Sequence, residues 1–90
     1  MKKLDANDAK KIGSELGISW KEVNLDEFVI GINVELEHGT RYPETNVTDN
    51  DLTLTGKIAW AHLKEFPDYY SRLEILEKEA EEFWNKGKRK

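Results

Sequence analysis

Residues 24–39 read NLDEFVIGINVELEHG. Asn24 followed three residues later by Glu27 is a capping box, and Gly39 is the residue type that ends a helix in the left-handed conformation. The spacing therefore predicts a helix over 25–38. With Phe28 as zero and about 100° added per residue, Ile32 falls at about +40°, Leu25 at about +60° and Leu36 at about +80°. One narrow arc is apolar, so the helix must bury that side. Glu35 falls at about −20°, on the edge of the same arc. His38 lies one turn on, about 60° further round and beside Gly31, while Glu37 points the opposite way.

Three further helices flank this one. Asp5 caps a helix over 6–16, with Asp8 in its first turn, Leu4, Ala9, Ile12 and Leu16 as its apolar stripe, and Gly17 as its stop. A third starts near Leu52 to Thr55 and ends before Pro67, whose ring disfavours helix at the residue preceding it. Asp49, Asn50 and Asp51 cap its start; they lack the glycine and terminal glutamate of a calcium-binding loop. Pro67 suits the first turn of a fourth helix. There Tyr69, Leu73, Leu76, Ala80 and Phe83 alternate steps of four and three, a single seam that runs to about Asn85 and Gly87. Between helices two and three, residues 39–50 carry Gly, Pro, Thr, Asn and Asp without helical period and read as one long ordered surface loop. Within it Asn46-Val47-Thr48 reads as turn chemistry.

These elements predict an all-α fold: a compact single-domain bundle of about four helices, with its core over about 5–86 and a basic tail over 86–90. A chain of 90 residues fits one domain with a radius of gyration of about 12 Å. Apolar residues make up 38% and charged residues 36%, so the core is thin, although three each of Trp, Tyr and Phe fill it with large pieces. The absence of cysteine excludes disulfides, thiolate metal sites and a cysteine nucleophile. A net charge of −4 gives no positive field, so no nucleic acid partner is expected. No apolar run is long enough to span a membrane, and a cytoplasmic protein without membrane association is the expectation.

The polar residues at the edge of the core carry the chemistry. Glu35 and His38 form a Glu-x-x-His unit, the spacing with which one helix face offers a carboxylate and an imidazole to one metal in di-iron carboxylate bundles. On helix three, Ile58, Ala61, His62 and Glu65 lie at i, i+3, i+4 and i+7, one stripe holding the same pair in reverse order. If helices two and three ran antiparallel, the mirrored order would bring both imidazoles to one level and both glutamates one turn below. Glu35, His38, His62 and Glu65 are then the expected ligands of one divalent metal, with Glu77 of helix four in reserve. Imidazole and carboxylate donors suit Zn, Fe, Mn or Ni. Such a site forms on folding and weakens below about pH 6, where imidazole protonates. Tyr69 and Tyr70 stand where their hydroxyls can orient a carboxylate.

Two other readings use the same residues. The histidines can cross-link helices through hydrogen bonds to Glu65 and Glu35 in a metal-free structural network, leaving a helical interaction module whose Trp20, Trp60 or Trp84 meets a protein partner. A His–Glu pair under a loop can also move protons, but the sequence has no nucleophile elbow, phosphate-binding loop or zincin motif to name a reaction.

The words GINVELEHGTRYPETNVT and LTGKIAWAHLKEFPDYYSRLE give the chain a resemblance to a family of short prokaryotic and phage-associated proteins of unknown function. It extends over about Ala9 to Trp84. Its distinctive words are Glu35 to Gly39, Asn46-Val47-Thr48, His62-Leu63 with Glu65, and Pro67 to Tyr70. The resemblance implies a discrete one-domain unit and carries no activity.

Overall fold

Each helix begins where a side chain can occupy the free amides of its first turn. In the computed structural model, which describes residues 3–41, 44, 46, 48 and 51–88 (86–88 in backbone only), α1 spans Ala6–Leu16, α2 Leu25–Arg41, α3 Leu52–Glu65 and α4 Tyr69–Lys88. No strand occurs among the described residues, and the chain is an all-α bundle of four helices. At α1 the Asp5 carboxylate accepts from the Asp8 amide at 2.9 Å and Asp8 accepts in return from the Asp5 amide at 3.3 Å. Gly17 closes the helix with a φ of +89°. At α2 the Asn24 side chain accepts from the Glu27 amide at 3.1 Å. At α3 the Asp51 carboxylate accepts from the Leu54 amide at 3.0 Å, and the helix ends at Phe66, extended ahead of Pro67.

Two local expectations are corrected. Glu27 does not fold back onto Asn24 to complete the capping box; its carboxylate crosses to α4 and accepts from the amide and hydroxyl of Ser71. A first-turn amide of α4 is thereby satisfied by α2. Nor does Gly39 stop α2: Gly17 is the one glycine with positive φ among the described residues, and Gly39 is buried inside a helix that continues to Arg41. Residues 39–41, expected to open the loop, thus belong to α2. Of its residues, Thr48 is buried, donates to Asn46 at 3.2 Å and offers its carbonyl to the Asp51 amide, the expected turn chemistry. Asp49 and Asn50, like Arg89 and Lys90 of the basic tail, lie outside the described residues.

The core is built from Ala9, Ile18, Phe28, Ile32, Ala59, Leu63 and Tyr70, with Leu36 also buried. Leu4, Ile12 and Leu16 of the α1 stripe pack against it. Trp20 lies across Gly13 and meets Phe28 edge-on, with ring centroids 5.5 Å apart. Trp60 is also half-buried, under the Lys64 ammonium at 4.4 Å. The segment before α1 is tied to α2 by Asn33, which accepts from the Leu4 amide at 2.8 Å and donates to its carbonyl at 2.9 Å.

Contacts between α2 and α3 ascend together along both helices: Phe28 rests beside Gly56, and Glu35 meets His62. This order replaces the mirrored one that an antiparallel pair requires. Contacts of α2 with α4 also ascend, from Glu27–Ser71 to His38–Glu77. The α2 helix ends three residues after His38, so α4 outruns its neighbour. The seam expected along α4 therefore divides. Tyr70 is buried and Leu73 packs against the core, but Leu76, Phe83 and Trp84 are 59%, 67% and 66% exposed. This projecting arm lengthens the molecule to 49 Å and raises its radius of gyration to 14.2 Å.

Gly31 fixes where α4 attaches. A Cβ at this position would lie 2.4 Å from Cε2 of the Tyr70 ring, which is fully buried and has nowhere to withdraw. Gly31→Ala gains about 1 kcal/mol of helix propensity but forces a shift in a packed core costing typically 1–3 kcal/mol or more at such a separation. We expect net destabilisation of about 1–2 kcal/mol in urea unfolding from that balance. An unchanged or higher midpoint would contradict the close approach.

Candidate functional site

The candidate site lies where α2, α3 and the first turn of α4 meet. Three residues contribute: Glu35 from α2, His62 from α3 and Tyr70 from α4. Tyr70 is brought in by the short link at Phe66–Asp68 and by the room left at Gly31. Its hydroxyl donates to Glu35 Oε2 at 2.7 Å. His62 Nδ1 lies 2.9 Å from the same hydroxyl and 3.2 Å from Glu35 Oε2.

This triangle determines the proton positions. A phenol has one proton, and here it is directed at the carboxylate, so the phenolic oxygen can serve His62 only as an acceptor. His62 Nδ1 must then carry hydrogen and donate. Its ring is held flat against Tyr69, with centroids 4.4 Å apart and planes inclined by 4°, and meets Tyr70 edge-on at 5.9 Å. Burial, followed by the hydrogen bond and charge of Glu35, pushes the Tyr70 hydroxyl far above its ordinary value of 10.0 and keeps it neutral.

The expected ligands fall into two separate pairs. Glu35 joins His62, largely out of water, with the Glu35 side chain 14% exposed. His38 joins Glu77 at 3.2 Å, and both are about half exposed on the surface. Glu65 is exposed at the end of α3. Among the described residues no group of three or more His, Asp or Glu is placed to hold one metal ion. No buried side-chain nitrogen or oxygen among them lacks a hydrogen-bond partner. With Nδ1 engaged, His62 retains Nε2 as its remaining nitrogen, a single donor where a metal site requires several.

Tyr70 was legible as a hydroxyl able to orient a carboxylate; its central place was not, because it depends on the absence of a side chain at Gly31, on another helix. A groove of about 490 Å³ runs beside the site between α2 and α4, lined by Ile30, Asn33, Val34, Leu73 and the His38–Glu77 pair. No described helix is long and apolar enough to cross a membrane.

A family model described as a protein of unknown function, DUF5661, matches residues 9–79. These residues include Glu35, His38, His62, Glu65, Tyr70 and Glu77, and stop before Phe83. No curated protein and no solved structure matches the chain.

Tyr70→Phe keeps the ring and removes the hydroxyl, leaving Glu35 with one partner fewer in a half-dry position. The expected loss of stability at pH 7 is about 1–3 kcal/mol. A pH dependence accompanies it. The folded pKa is raised above the unfolded one, so the contribution is complete below pH 10 and declines above it, when the unfolded chain gives up a proton that the folded chain retains. The slope is about 1.4 kcal/mol per pH unit for one proton. Urea unfolding from pH 7 to 11 should show that part of the alkaline decline missing in Tyr70→Phe. Identical profiles would contradict the assignment.

Proposed function

The chain belongs to DUF5661, a family whose description assigns no activity, and we propose that it is a helical protein-interaction module in which the His/Glu residues form a metal-free structural network. The observation that carries this reading is the contrast between the two halves of α4. Its root is held on three sides, by Glu27 at Ser71, by Gly31 beneath Tyr70, and by Glu35 and His62 at the Tyr70 hydroxyl. Its second half presents Leu76, Phe83 and Trp84 to solvent.

Aromatic and aliphatic side chains clustered on a surface and rimmed by charge are typical anchors of protein interfaces. With about 100° per residue, Phe83, Leu76, Ala80, Leu73 and Trp84 fall within about 100° of arc, while Glu74, Lys78 and Glu82 lie elsewhere. Of the three tryptophans considered for a partner surface, Trp84 alone is exposed, whereas Trp20 and Trp60 belong to the packing of the bundle. The pairing of the histidines supports the same reading. Each already has a carboxylate partner on another helix, and such pairs stabilise little while specifying which surfaces meet.

Two measurements test the proposal. Elemental analysis should find no stoichiometric Zn, Fe, Mn or Ni, and an excess of chelator should leave the melting midpoint unchanged; stoichiometric metal with a chelator-sensitive midpoint would overturn the metal-free network. For the interface, a photo-crosslinking amino acid in place of Phe83 should give discrete adducts in cells, and the same group at exposed Lys57 on α3 should not. Equal labelling at both positions, or none at 83, would overturn the assignment of the arm.

A further inference from the structure

Independently of the α4 arm, we infer that the chain hydrolyses small uncharged carboxylic esters, with Nε2 of His62 as the general base. Proton placement comes first. The Tyr70 hydroxyl directs its one proton to Glu35 at 2.7 Å, so Nδ1 of His62 holds a hydrogen, 2.9 Å from the phenolic oxygen and 3.2 Å from Glu35 Oε2. A neutral imidazole carries a single N–H. Its lone pair therefore lies on Nε2.

Access comes second. The His62 side chain is 32% exposed, and Nδ1 makes its polar contacts. Among the described residues no fully buried side-chain nitrogen or oxygen lacks a hydrogen-bond partner, and His62 has no polar contact beyond those of Nδ1. Nε2 thus reaches solvent with its lone pair available. The ring is also held still, by Tyr69 stacked on its face at 4.4 Å and by the buried Tyr70 ring at its edge. A carboxylate on the second nitrogen of a base fixes the tautomer and stabilises the imidazolium that forms during proton transfer. Glu35 is that positioning residue.

Charge selects the substrate. The charged group in contact with His62 is a carboxylate, whereas the guanidinium groups of Arg41 and Arg72 pair with Glu37 and Asp68. Phosphoryl oxygens call for cationic partners, which favours an uncharged substrate here. An ester with a good leaving group needs only water and a proton acceptor. The water oxygen bonds to the carbonyl carbon as its proton passes to Nε2. The bond from that carbon to the leaving-group oxygen then breaks, and this oxygen takes the electron pair and the proton returned from Nε2. Ester and water become acid and alcohol, and Glu35 stays ionised throughout.

Hydrolysis of p-nitrophenyl acetate in excess chelator tests this. We expect the purified chain to exceed His62→Ala by about 10²-fold in second-order rate constant, the lower end of the ~10²–10⁴-fold typical of general-base groups. His38→Ala removes the other histidine and should leave the rate unchanged. A second measurement does not depend on how His62→Ala folds. Diethyl pyrocarbonate, which acylates unprotonated imidazole, should abolish the rate of the His38→Ala chain in step with modification of His62, and hydroxylamine should restore it. Glu35→Gln should lower the rate and shift the ring hydrogen away from Nδ1, read from the ¹⁵N resonances of His62; a merely structural role would leave the tautomer as it is.

A rate no higher than that of His62→Ala, or one that survives complete modification of His62, would overturn the inference. So would a rate that chelator removes, a ring hydrogen on Nε2 in the unaltered chain, or a Glu35→Gln chain with unchanged rate and tautomer.

Discussion

The placement of Tyr70 against Gly31 determines most of what surrounds it. A tyrosine ring at 1% exposure contributes a large apolar surface to a thin core, and the missing side chain at Gly31 is what admits it. Its hydroxyl cannot be buried alone. Glu35 accepts its hydrogen bond and His62 Nδ1 lies against its oxygen, so one residue joins three helices through packing and hydrogen bonds at once. The same contact sets the position of α4, because Tyr70 lies in its first turn. From that fixed point the helix runs alongside α2 and then past its end.

This arrangement pairs the polar residues differently from the grouping their spacing suggests. A Glu-x-x-His unit facing a His-x-x-Glu unit converges on a cavity only if the two helices run in opposite senses. Here Phe28 neighbours Gly56 and Glu35 neighbours His62, an ascending order on both helices, and the donors are distributed into pairs. His38 turns to Glu77 on α4, while Glu65 remains at the exposed end of α3. Glu35 and His62 meet at the Tyr70 hydroxyl, whereas the His38–Glu77 pair lies about half exposed on the surface.

Much of the fold was legible because its signals are local. Asp5 with Asp8, Gly17, Asn24, Asp51 and the Phe66–Pro67 step each act within a turn of the chain, and they mark the ends of helices closely. Gly39 misled because glycine stops a helix only where the backbone takes positive φ; here it is buried in a helical turn. Glu27 misled for a related reason, as its carboxylate found an amide on α4 in place of its own N-cap. The polar residues at the core edge were found by angle alone, whereas their pairing depends on helix direction, which periodicity does not encode. The seam on α4 was likewise visible as a seam. That its second half has no neighbour follows from the relative lengths and offsets of α2 and α4, quantities that only the assembled bundle defines.

The central claim is that α4 is one helix with two kinds of residue, a root fixed by Tyr70 and an arm that the rest of the bundle leaves exposed. Residue-resolved amide hydrogen exchange tests it most directly. The account predicts slow exchange in the turns just after Tyr70 and fast exchange around Leu76–Trp84. Arm amides as protected as the root in dilute solution, or a root that exchanges as fast as the arm, would contradict it.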